Sequence, residues 1–534
     1  MRSARALSLA LALVTALVGC TTGRPRGPDE VEVTAIESRS IVELSAAMDD
    51  GALTSEAITR AYLDRIAAID DAGPTLSAVI AVMPGAIEES RARDEERRAG
   101  RIRGPLHGIP ILLKDNIEAR GPVPTTAGSL ALAGNVTDRD APLVARLRAA
   151  GAVILGKTNL SEWANIRAAR STSGWSAIGG LVKNPHALDR NACGSSSGSG
   201  AAVAAGLAAA AIGTETDGSI TCPAGTTGIV GFKPTVGLVS RTHVIPISRT
   251  QDTAGPMSAT VTDAAILLTA MAGGDPADPA TAEADARKRD YVAVLDRGWL
   301  RGRRIGVLRG ALGDRPEILA IADAAITTLR RAGAEVVDVQ VDDEPYAGLG
   351  DDELTVLLVE LKADLGAYLA GSPAKIEVRS LADVIDFNRA HPEELRWFDQ
   401  SLFERAEAGP GVDAPAYLEA LARARRLAGP EGIDRLLAAD RLDLLMGVTN
   451  GPAWVSDLGR GDDFAGPSVS QLPAIAGYPH LTVPAGAIEG LPIGVSFIGG
   501  AWQDAEVLAA GFAFEQASPP RPRPRLVAGA PRPR

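Results

Sequence analysis

Residues 191–220 have the sequence NACGSSSGSGAAVAAGLAAAAIGTETDGSI, in which a glycine- and serine-rich run leads into small residues and then into a polar turn. The run Ala201–Ala211 predicts a helix whose small side chains allow very close packing against a neighbouring element. Apolar helix and strand patterns lie on both sides, which excludes a flexible linker because linkers are not built into cores. A P-loop loses its main support, since no Gly-Lys-Ser/Thr triplet follows. The stretch therefore predicts a polar loop inside a folded domain.

Helices and strands alternate on both sides of this stretch. Ser40 and Glu43 form a capping-box pattern that opens a short helix ending near Gly51, and a second helix starts at Thr54. Short apolar runs predict strands, and apolar residues at helical spacing predict helices between them. The strands are expected at 109–113, 153–155, 304–308, 335–341, 480–484 and 493–498, and the helices at 141–150, 318–331 and 504–516. This alternation predicts the α/β class, with a single large domain whose central mixed β-sheet is covered by helices.

The polar turn at 213–220 contains a candidate nucleophile, Ser219. A glycine-bearing turn can expose a hydroxyl and let the neighbouring backbone N–H groups of residues 216–219 converge as an oxyanion hole. A serine is a poor nucleophile at its own pKa and needs a base. None of the five histidines lies in a recognisable triad context, so the base is sought among the lysines.

Lysine is scarce, with seven among the 54 basic residues. Lys114 stands out because it ends the apolar run 109–113. Burial there would disfavour the ammonium form and lower the pKa of the amine toward that of a general base, which arginine could not become. A lysine that snorkels at the end of a strand fits the same pattern equally well.

Several motifs of this chain resemble those of the amidase signature family. They are Leu106–Pro110, Lys114–Asn116, Gly194–Ser196, Gly213–Ile220, Pro223–Ala224, Gly228–Pro234, Asp252–Pro256, Gly477–Pro479, Pro484–Gly486 and Leu491–Gly494. The resemblance covers roughly positions 35 to 516, and together the blocks are highly specific for the family.

The resemblance implies the family's Ser–cis-Ser–Lys triad. It places the nucleophile at Ser219, the base at Lys114 and the bridging serine, expected to follow a cis peptide bond, at Ser195. Ser196, the next serine, is expected to support the triad. The backbone N–H groups of Thr216, Asp217, Gly218 and Ser219 are expected to form the oxyanion hole. The implied activity is hydrolysis of a carbon–nitrogen amide bond through an acyl-enzyme, without a cofactor.

The motif wording departs from the commonest form of the family in two places. Cys193 and Ser197 replace glycines of a Gly-Gly-Ser-Ser-Gly-Gly motif, and residues 215–219 read Glu-Thr-Asp-Gly-Ser where many members have Asp-Thr-Gly-Gly-Ser. Asp217 thus brings a carboxyl group to the expected oxyanion hole. This wording, together with residues 159–165, is similar to that of bacterial peptide amidases, which remove the C-terminal carboxamide from peptide amides. The resemblance therefore implies peptide amides as substrates.

Three other functions are weighed against this one. An amidase for small aliphatic, aromatic or nylon-like linear amides is compatible with the sequence, because pocket residues are expected in variable loops such as 342–420. The component of the tRNA-dependent amidotransferase that supplies ammonia to charged tRNA, a member of the same family, fits poorly with an export signal. A non-catalytic envelope lipoprotein with an amidase fold is disfavoured because all three triad positions are present.

The amino terminus resembles that of a bacterial lipoprotein. Arg2 and Arg5 precede the apolar run Ala6–Val18, which is too short to span a bilayer, and Cys20 follows as in a lipobox. An ordinary secretory signal with an incidental cysteine is the alternative. The expected organisation is a signal peptide (1–19), a flexible tether (20–34), an amidase domain (35–517) and a disordered Pro/Arg-rich tail (518–534). It predicts export, with lipidation at Cys20 anchoring the protein in the envelope, or a periplasmic location.

Composition narrows the possible partners. The formal net charge of −12 argues against nucleic acid, whose phosphates require a basic surface. Three cysteines are too few for a disulfide framework, and the histidines form no metal-binding pattern. The expected partners are a small-molecule or peptide amide substrate and, through the lipid anchor alone, a membrane. The oligomeric state is left open.

Overall fold

The computed structural model of the protein describes residues 36–341, 344–527 and 529. The predicted signal peptide (1–19), the tether (20–34) and the lipidation site Cys20 lie outside the described residues. Among the described helices, none is long and apolar enough to cross a membrane.

The fold is built on an eleven-stranded mixed sheet, with two small two-stranded sheets beside it. The strands are β1 (Val79–Val82), β2 (Pro110–Lys114), β3 (Val153–Thr158), β4 (Trp175–Ser176), β5 (Gly180–Leu181), β6 (Lys183–Asn184), β7 (Ala187–Asn191), β8 (Ala210–Glu215), β9 (Val230–Lys233), β10 (Thr253–Ser258), β11 (Arg304–Leu308), β12 (Glu335–Val339), β13 (Leu444–Val448), β14 (His480–Ile488) and β15 (Leu491–Ile498). Their order in the large sheet is β1-β3-β2-β8-β10-β9-β14-β15-β13-β11-β12. The predicted α/β domain with a central mixed sheet is confirmed.

Helices cover this sheet. They are α1 (Ile41–Asp49), α2 (Ser55–Arg65), α3 (Ala86–Arg98), α4 (Pro142–Ala149), α5 (Ser197–Ala205), α6 (Thr221–Thr227), α7 (Val261–Met271), α8 (Ala284–Arg287), α9 (Pro316–Arg331), α10 (Leu349–Gly371), α11 (Leu381–Ala390), α12 (Ser401–Ala408), α13 (Pro415–Ala428), α14 (Arg435–Ala439), α15 (Gln471–Ala476) and α16 (Asp504–Ala517). The capping box predicted at the start of α1 is present, since Ser40 accepts from the Glu43 N–H while Glu43 accepts from the Ser40 N–H. The segment 342–420, expected as variable loops, instead contains α10 to α12 and the start of α13.

The register of the sheet brings two predicted site segments together. Strand β2 lies between β3 and β8 and runs parallel to both, and all five of its residues are buried. Such continuous apolar runs are typical of parallel strands, which are covered on both faces. Leu113 pairs with Ile212, so the carboxyl ends of β2 and β8 lie side by side and place Lys114 next to Thr214.

The helix predicted over Ala201–Ala211 is wrong in both boundaries. Helix α5 starts earlier, at Ser197, and ends at Ala205, where Gly206 adopts a left-handed φ of 69°. Ala210 and Ala211 belong to β8. Alanine favours a helix locally. The pairing of β8 with β2 on one side and with β10 on the other nevertheless makes Ala210 and Ala211 part of a strand.

The close packing predicted for α5 is confirmed. An added Cβ at Gly198 would lie 2.3 Å from the Ala78 carbonyl oxygen and 2.4 Å from that of Asn159. Only glycine fits at this position, so the first turn of α5 packs directly against the backbone at Ala78 and Asn159.

The tail from Ser518 contains no helix or strand within its described residues. It is nevertheless tied to the body by hydrogen bonds, one of them from the Gly529 N–H to Asp189 Oδ1 at 3.2 Å. The Leu526 N–H donates to the Pro185 carbonyl, and the Leu188 N–H donates to the Val527 carbonyl, both at 3.0 Å. Residues 526–527 therefore lie along β7, which leads into the glycine- and serine-rich loop.

Candidate active site

Lys114 lies at the carboxyl end of β2 with its side chain wholly buried. Its Nζ is 2.7 Å from Ser195 Oγ, 2.9 Å from Thr214 Oγ1 and 3.1 Å from the Thr214 carbonyl oxygen. The sequence left open whether the Lys114 amine is buried or snorkels to the surface. The structure shows that it is buried. Lys114 and Ser195, predicted to lie together, are in direct contact.

The environment of Lys114 favours the neutral amine. Burial lowers the pKa of Lys114 to about 7, against an opposing effect from the negative charges of Asp252 and Glu215. A neutral amine has two N–H donors and one lone pair, which matches the contacts if Thr214 accepts twice and the lone pair accepts from the Ser195 hydroxyl. The geometry therefore suits proton transfer from Ser195 to Lys114.

Ser195 follows a cis peptide bond from Gly194, as the family resemblance implies. Its carbonyl accepts from the Ser161 N–H at 3.0 Å. Ser196 also contacts Thr214, because its Oγ donates to the Thr214 carbonyl at 3.0 Å and accepts from the Thr214 N–H at 3.3 Å. Both serines are thus fixed against the end of β8.

Ser219 lies in the turn between β8 and α6. The Ser196 N–H donates to the Ser219 carbonyl at 3.1 Å, which joins this turn to the loop that carries Ser195. Gly218 has a left-handed φ of 72°, a conformation that glycine adopts without strain. In the part of the chain that the structure describes, the N–H groups of Asp217, Gly218 and Ser219 donate no hydrogen bond, so they are free to bind an oxyanion.

Two carboxylates hold this turn in shape. Glu215 Oε2 accepts from the N–H groups of Ile220 and Thr221 at 2.7 and 2.9 Å, which caps the start of α6. Asp252 Oδ1 accepts from Thr216 Oγ1 at 2.6 Å, and burial raises the pKa of Asp252 to about 6. The backbone around Ser219 is therefore positioned from both ends.

Asp217, the unusual residue of the oxyanion turn, has an environment that disfavours its charge. Removal from water and the nearby Glu353 carboxylate raise the pKa of Asp217 well above its ordinary value. Glu353 itself accepts from the side-chain amides of Gln251 and Gln471, each at 2.9 Å. A neutral Asp217 carboxyl would not repel an oxyanion bound by the backbone N–H groups of the turn.

Several residues around Lys114 and Ser195 were not predicted from the sequence. Asn116 Nδ2 donates to Thr214 Oγ1 at 3.0 Å, so Thr214 connects Asn116, Lys114 and Ser196. Asn116 and Thr214 are both within the family motifs, but their contact depends on the pairing of β2 with β8. Cys193 and Cys222 form a disulfide, with their Cα atoms 5.9 Å apart. Their positions on either side of the candidate serines were the only signal of this pairing.

A second buried lysine supports the chain that follows Lys114. Lys157 Nζ donates to the Ile117 carbonyl at 2.6 Å, to Thr125 Oγ1 at 2.8 Å and to Asp115 Oδ1 at 3.3 Å. Burial lowers the pKa of Lys157. These contacts fix the loop after β2. The described residues contain no cluster of side chains suited to a metal ion.

Comparison with known proteins finds amidases both by sequence and by fold. The model of the family described as Amidase matches residues 57–508. A probable amidase of Arabidopsis thaliana is 40% identical over 504 residues, covering 92% of this chain and 93% of the relative. A putative amidase of Schizosaccharomyces pombe is 35% identical over 523 residues, covering 92% of this chain and 87% of the relative. The crystal structure of the peptide amidase from Stenotrophomonas maltophilia is 53% identical, with a TM-score of 0.87, covering 92% of this chain and 99% of that one.

Proposed function

This chain belongs to the amidase family and is an amide-bond hydrolase, and we propose that it deamidates peptides that end in a C-terminal carboxamide. The similarity to the Stenotrophomonas peptide amidase, 53% identical over nearly the whole of both chains, supports this substrate class. The motif wording at 215–219 and 159–165, which is similar to that of bacterial peptide amidases, supports the same substrate class.

The contact that carries the proposed mechanism is the 2.7 Å approach of Lys114 Nζ to Ser195 Oγ. Neutral Lys114 accepts the proton of the Ser195 hydroxyl while Ser195 accepts that of Ser219, and Ser219 Oγ attacks the amide carbon. The N–H groups of the turn at 216–219 stabilise the negative charge that develops on the carbonyl oxygen. The amine of Lys114 is thus proposed as the base, and Ser195 as the relay.

The second half of the reaction returns the proton. The Lys114 ammonium donates through Ser195 to the leaving nitrogen, which departs as ammonia and leaves the acyl group on Ser219. A water molecule then attacks the ester and loses its proton along the same relay. The bond between the acyl carbon and Ser219 Oγ breaks, the relay returns that proton to Ser219 Oγ, and the carboxylic acid leaves. No cofactor is required, because the lysine and the serines carry every proton that moves.

The substrate proposal is tested by measuring ammonia release from a panel of amides. The panel contains peptide amides, the same peptides as free acids, and small aliphatic, aromatic and nylon-like linear amides. We expect kcat/KM to be at least about 100-fold higher for peptide amides than for the simple amides, since peptide binding contributes to transition-state stabilisation. A higher kcat/KM on simple amides would reject the peptide amidase proposal and support the alternative amidase function.

The rate should also depend on pH through Lys114. Because burial lowers the pKa of Lys114 to about 7, the fraction of neutral base increases tenfold per unit of pH below that value. We expect kcat/KM for an uncharged peptide amide to rise in this way with pH and to level off above about pH 7. Steady-state rates measured from about pH 5 to pH 9 test this. A rate that falls as the pH rises through 7 would indicate that the protonated form is the active one.

A further inference from the structure

The disulfide between Cys193 and Cys222 joins the two segments that carry the candidate serines. Cys193 directly precedes Gly194 and Ser195, and Cys222 lies in the first turn of α6, three residues after Ser219. The Cys222 N–H also donates to the Gly218 carbonyl at 2.8 Å, inside the oxyanion turn. The disulfide therefore joins the segment that precedes Ser195 to the helix that follows Ser219.

The backbone at Cys193 has a conformation that is intrinsically unfavourable for a residue with a side chain. Cys193 has a φ of 56°, in the left-handed region that residues with a side chain rarely adopt. Such a conformation persists where the surroundings determine it. Here they include the disulfide, the hydrogen bond from the Cys193 N–H to Asn191 Oδ1 at 2.7 Å, and a hydrogen bond from Ser197 Oγ to the Cys193 carbonyl. Without the disulfide, Cys193 could relax toward negative φ and turn the chain that enters Ser195.

There is little room for the next residues to compensate for such a rotation. An added Cβ at Gly194 would lie 2.2 Å from Ser161 Oγ, so this glycine is enclosed by its neighbours. A shift at Cys193 would therefore be transmitted to Ser195, whose Oγ must stay within hydrogen-bonding distance of Lys114. A misplacement of about 1 Å in a relay can reduce the rate about a hundredfold.

Other contacts would keep the two segments near each other after the disulfide is broken. Thr226 Oγ1 donates to the Ala192 carbonyl at 2.9 Å, and the Ser196 N–H donates to the Ser219 carbonyl at 3.1 Å. These hydrogen bonds, together with the large buried core, do not depend on the disulfide. Reduction is therefore expected to loosen the relay without unfolding the domain.

We expect a small reductant to reach the disulfide from the side of Cys222. Cys193 is only 6% exposed, whereas Cys222 is half-buried. The thiolate of a small dithiol can attack the Cys222 sulfur and release the Cys193 thiolate, and the second thiol then displaces Cys222. The protein gains two protons and two electrons as two thiols, and the dithiol is oxidised to its cyclic disulfide.

From these contacts we propose that the Cys193–Cys222 disulfide positions the relay, so that the enzyme is active when oxidised and loses its activity reversibly when reduced. The two cysteines act as positioning residues, since neither is placed to react with the substrate. Export to an oxidising compartment, which the amino-terminal sequence predicts, would supply the active form. This inference rests on the proposed Ser219–Ser195–Lys114 relay.

The test uses the full chain with Cys20→Ser, in which Cys193 and Cys222 are the only cysteines. The oxidised and dithiol-reduced forms are compared for kcat and KM on a peptide amide, and a maleimide label counts the free thiols. We expect reduction to yield two free thiols, to lower kcat by at least about tenfold and to change KM by less than about twofold, because the relay is disturbed more than substrate binding. Reoxidation should restore kcat. Circular dichroism should be the same for both forms.

Labelling of Ser219 by a fluorophosphonate provides a second readout, which reports the reactivity of Ser219 without requiring binding of the amide substrate. Its rate should fall in parallel with kcat on reduction, because it depends on the relay. The matched control is Cys193→Ser with Cys222→Ser in the same background, which should resemble the reduced enzyme and should not respond to the dithiol. If this variant fails to fold, the reduced form alone decides the question.

Two results would overturn the proposal. One is full kcat in a protein that shows two free thiols. The other is loss of kcat together with global unfolding, which would make the disulfide an element of stability and not a positioning device. If instead the oxidised enzyme releases ammonia from no amide, the proposed function itself fails.

Discussion

Replacing Ser219 with alanine should lower kcat for amide hydrolysis by about 10⁵-fold or more while leaving the fold intact, because the variant lacks the hydroxyl that we propose attacks the carbonyl. The fold should survive because the bonds that shape the turn come from the backbone at Ile220, Thr221 and Cys222. Ser219 is 8% exposed, and the change removes one oxygen atom beside open backbone donors. We expect the melting temperature to stay within about 2 °C of the parent.

The matched control for this change is Ser518→Ala at the end of α16, where the hydroxyl donates to the Phe514 carbonyl at 2.8 Å, far along the chain from the relay. Both variants are assayed for ammonia release from a peptide amide and for thermal unfolding. The control should keep the parent kcat. Residual activity of Ser219→Ala above about a hundredth of the parent rate would exclude Ser219 as the nucleophile.

Replacing Lys114 with arginine should reduce kcat by about 10³-fold or more, and methionine at the same position should reduce it about equally. Methionine removes the charge and the base, whereas arginine keeps the charge and cannot be deprotonated in a protein. A residue that acted only through its positive charge would be replaced better by arginine than by methionine. Similar losses in both variants therefore distinguish a base from a fixed cation.

The burial of Lys114 requires a check that the arginine variant folds, since a guanidinium is larger than an amine. Methionine has nearly the volume of lysine, so Lys114→Met serves as the folded reference. Lys362→Arg, at a partly exposed lysine that pairs with Glu407, is the control for exchange of the cation itself. Substantial activity in Lys114→Arg with none in Lys114→Met would contradict the role of Lys114 as a base.

Much of the fold follows from the sequence where local pattern and tertiary structure agree. The apolar run that became β2 predicts a strand buried on both faces, and its position between two parallel neighbours supplies that environment. The predicted unit of β11, α9 and β12 is likewise present, with β11 and β12 parallel and in register from Arg304–Glu335 to Leu308–Val339. The prediction of one helix over Ala201–Ala211 is wrong because alanine is compatible with both a helix and a strand. Only pairing with the neighbouring strands of the sheet decides between the two.

In the candidate site, the sequence likewise predicts some residues, whereas others depend on the tertiary structure. Lys114, Ser195 and Ser219 are placed by motifs, and the structure brings Lys114 into contact with Ser195. The role of Thr214 depends on the register between β2 and β8, which a single sequence does not specify. The disulfide requires that two cysteines separated by 29 positions lie close together in the fold. The number of cysteines alone cannot predict this.

Labelling with a fluorophosphonate, followed by peptide mapping, tests directly whether Lys114 makes Ser219 nucleophilic. We expect a single adduct, on Ser219, and a labelling rate that falls by at least about a hundredfold in Lys114→Met. An adduct on a different residue, or undiminished labelling of Ser219 in Lys114→Met, would show that Lys114 does not activate Ser219.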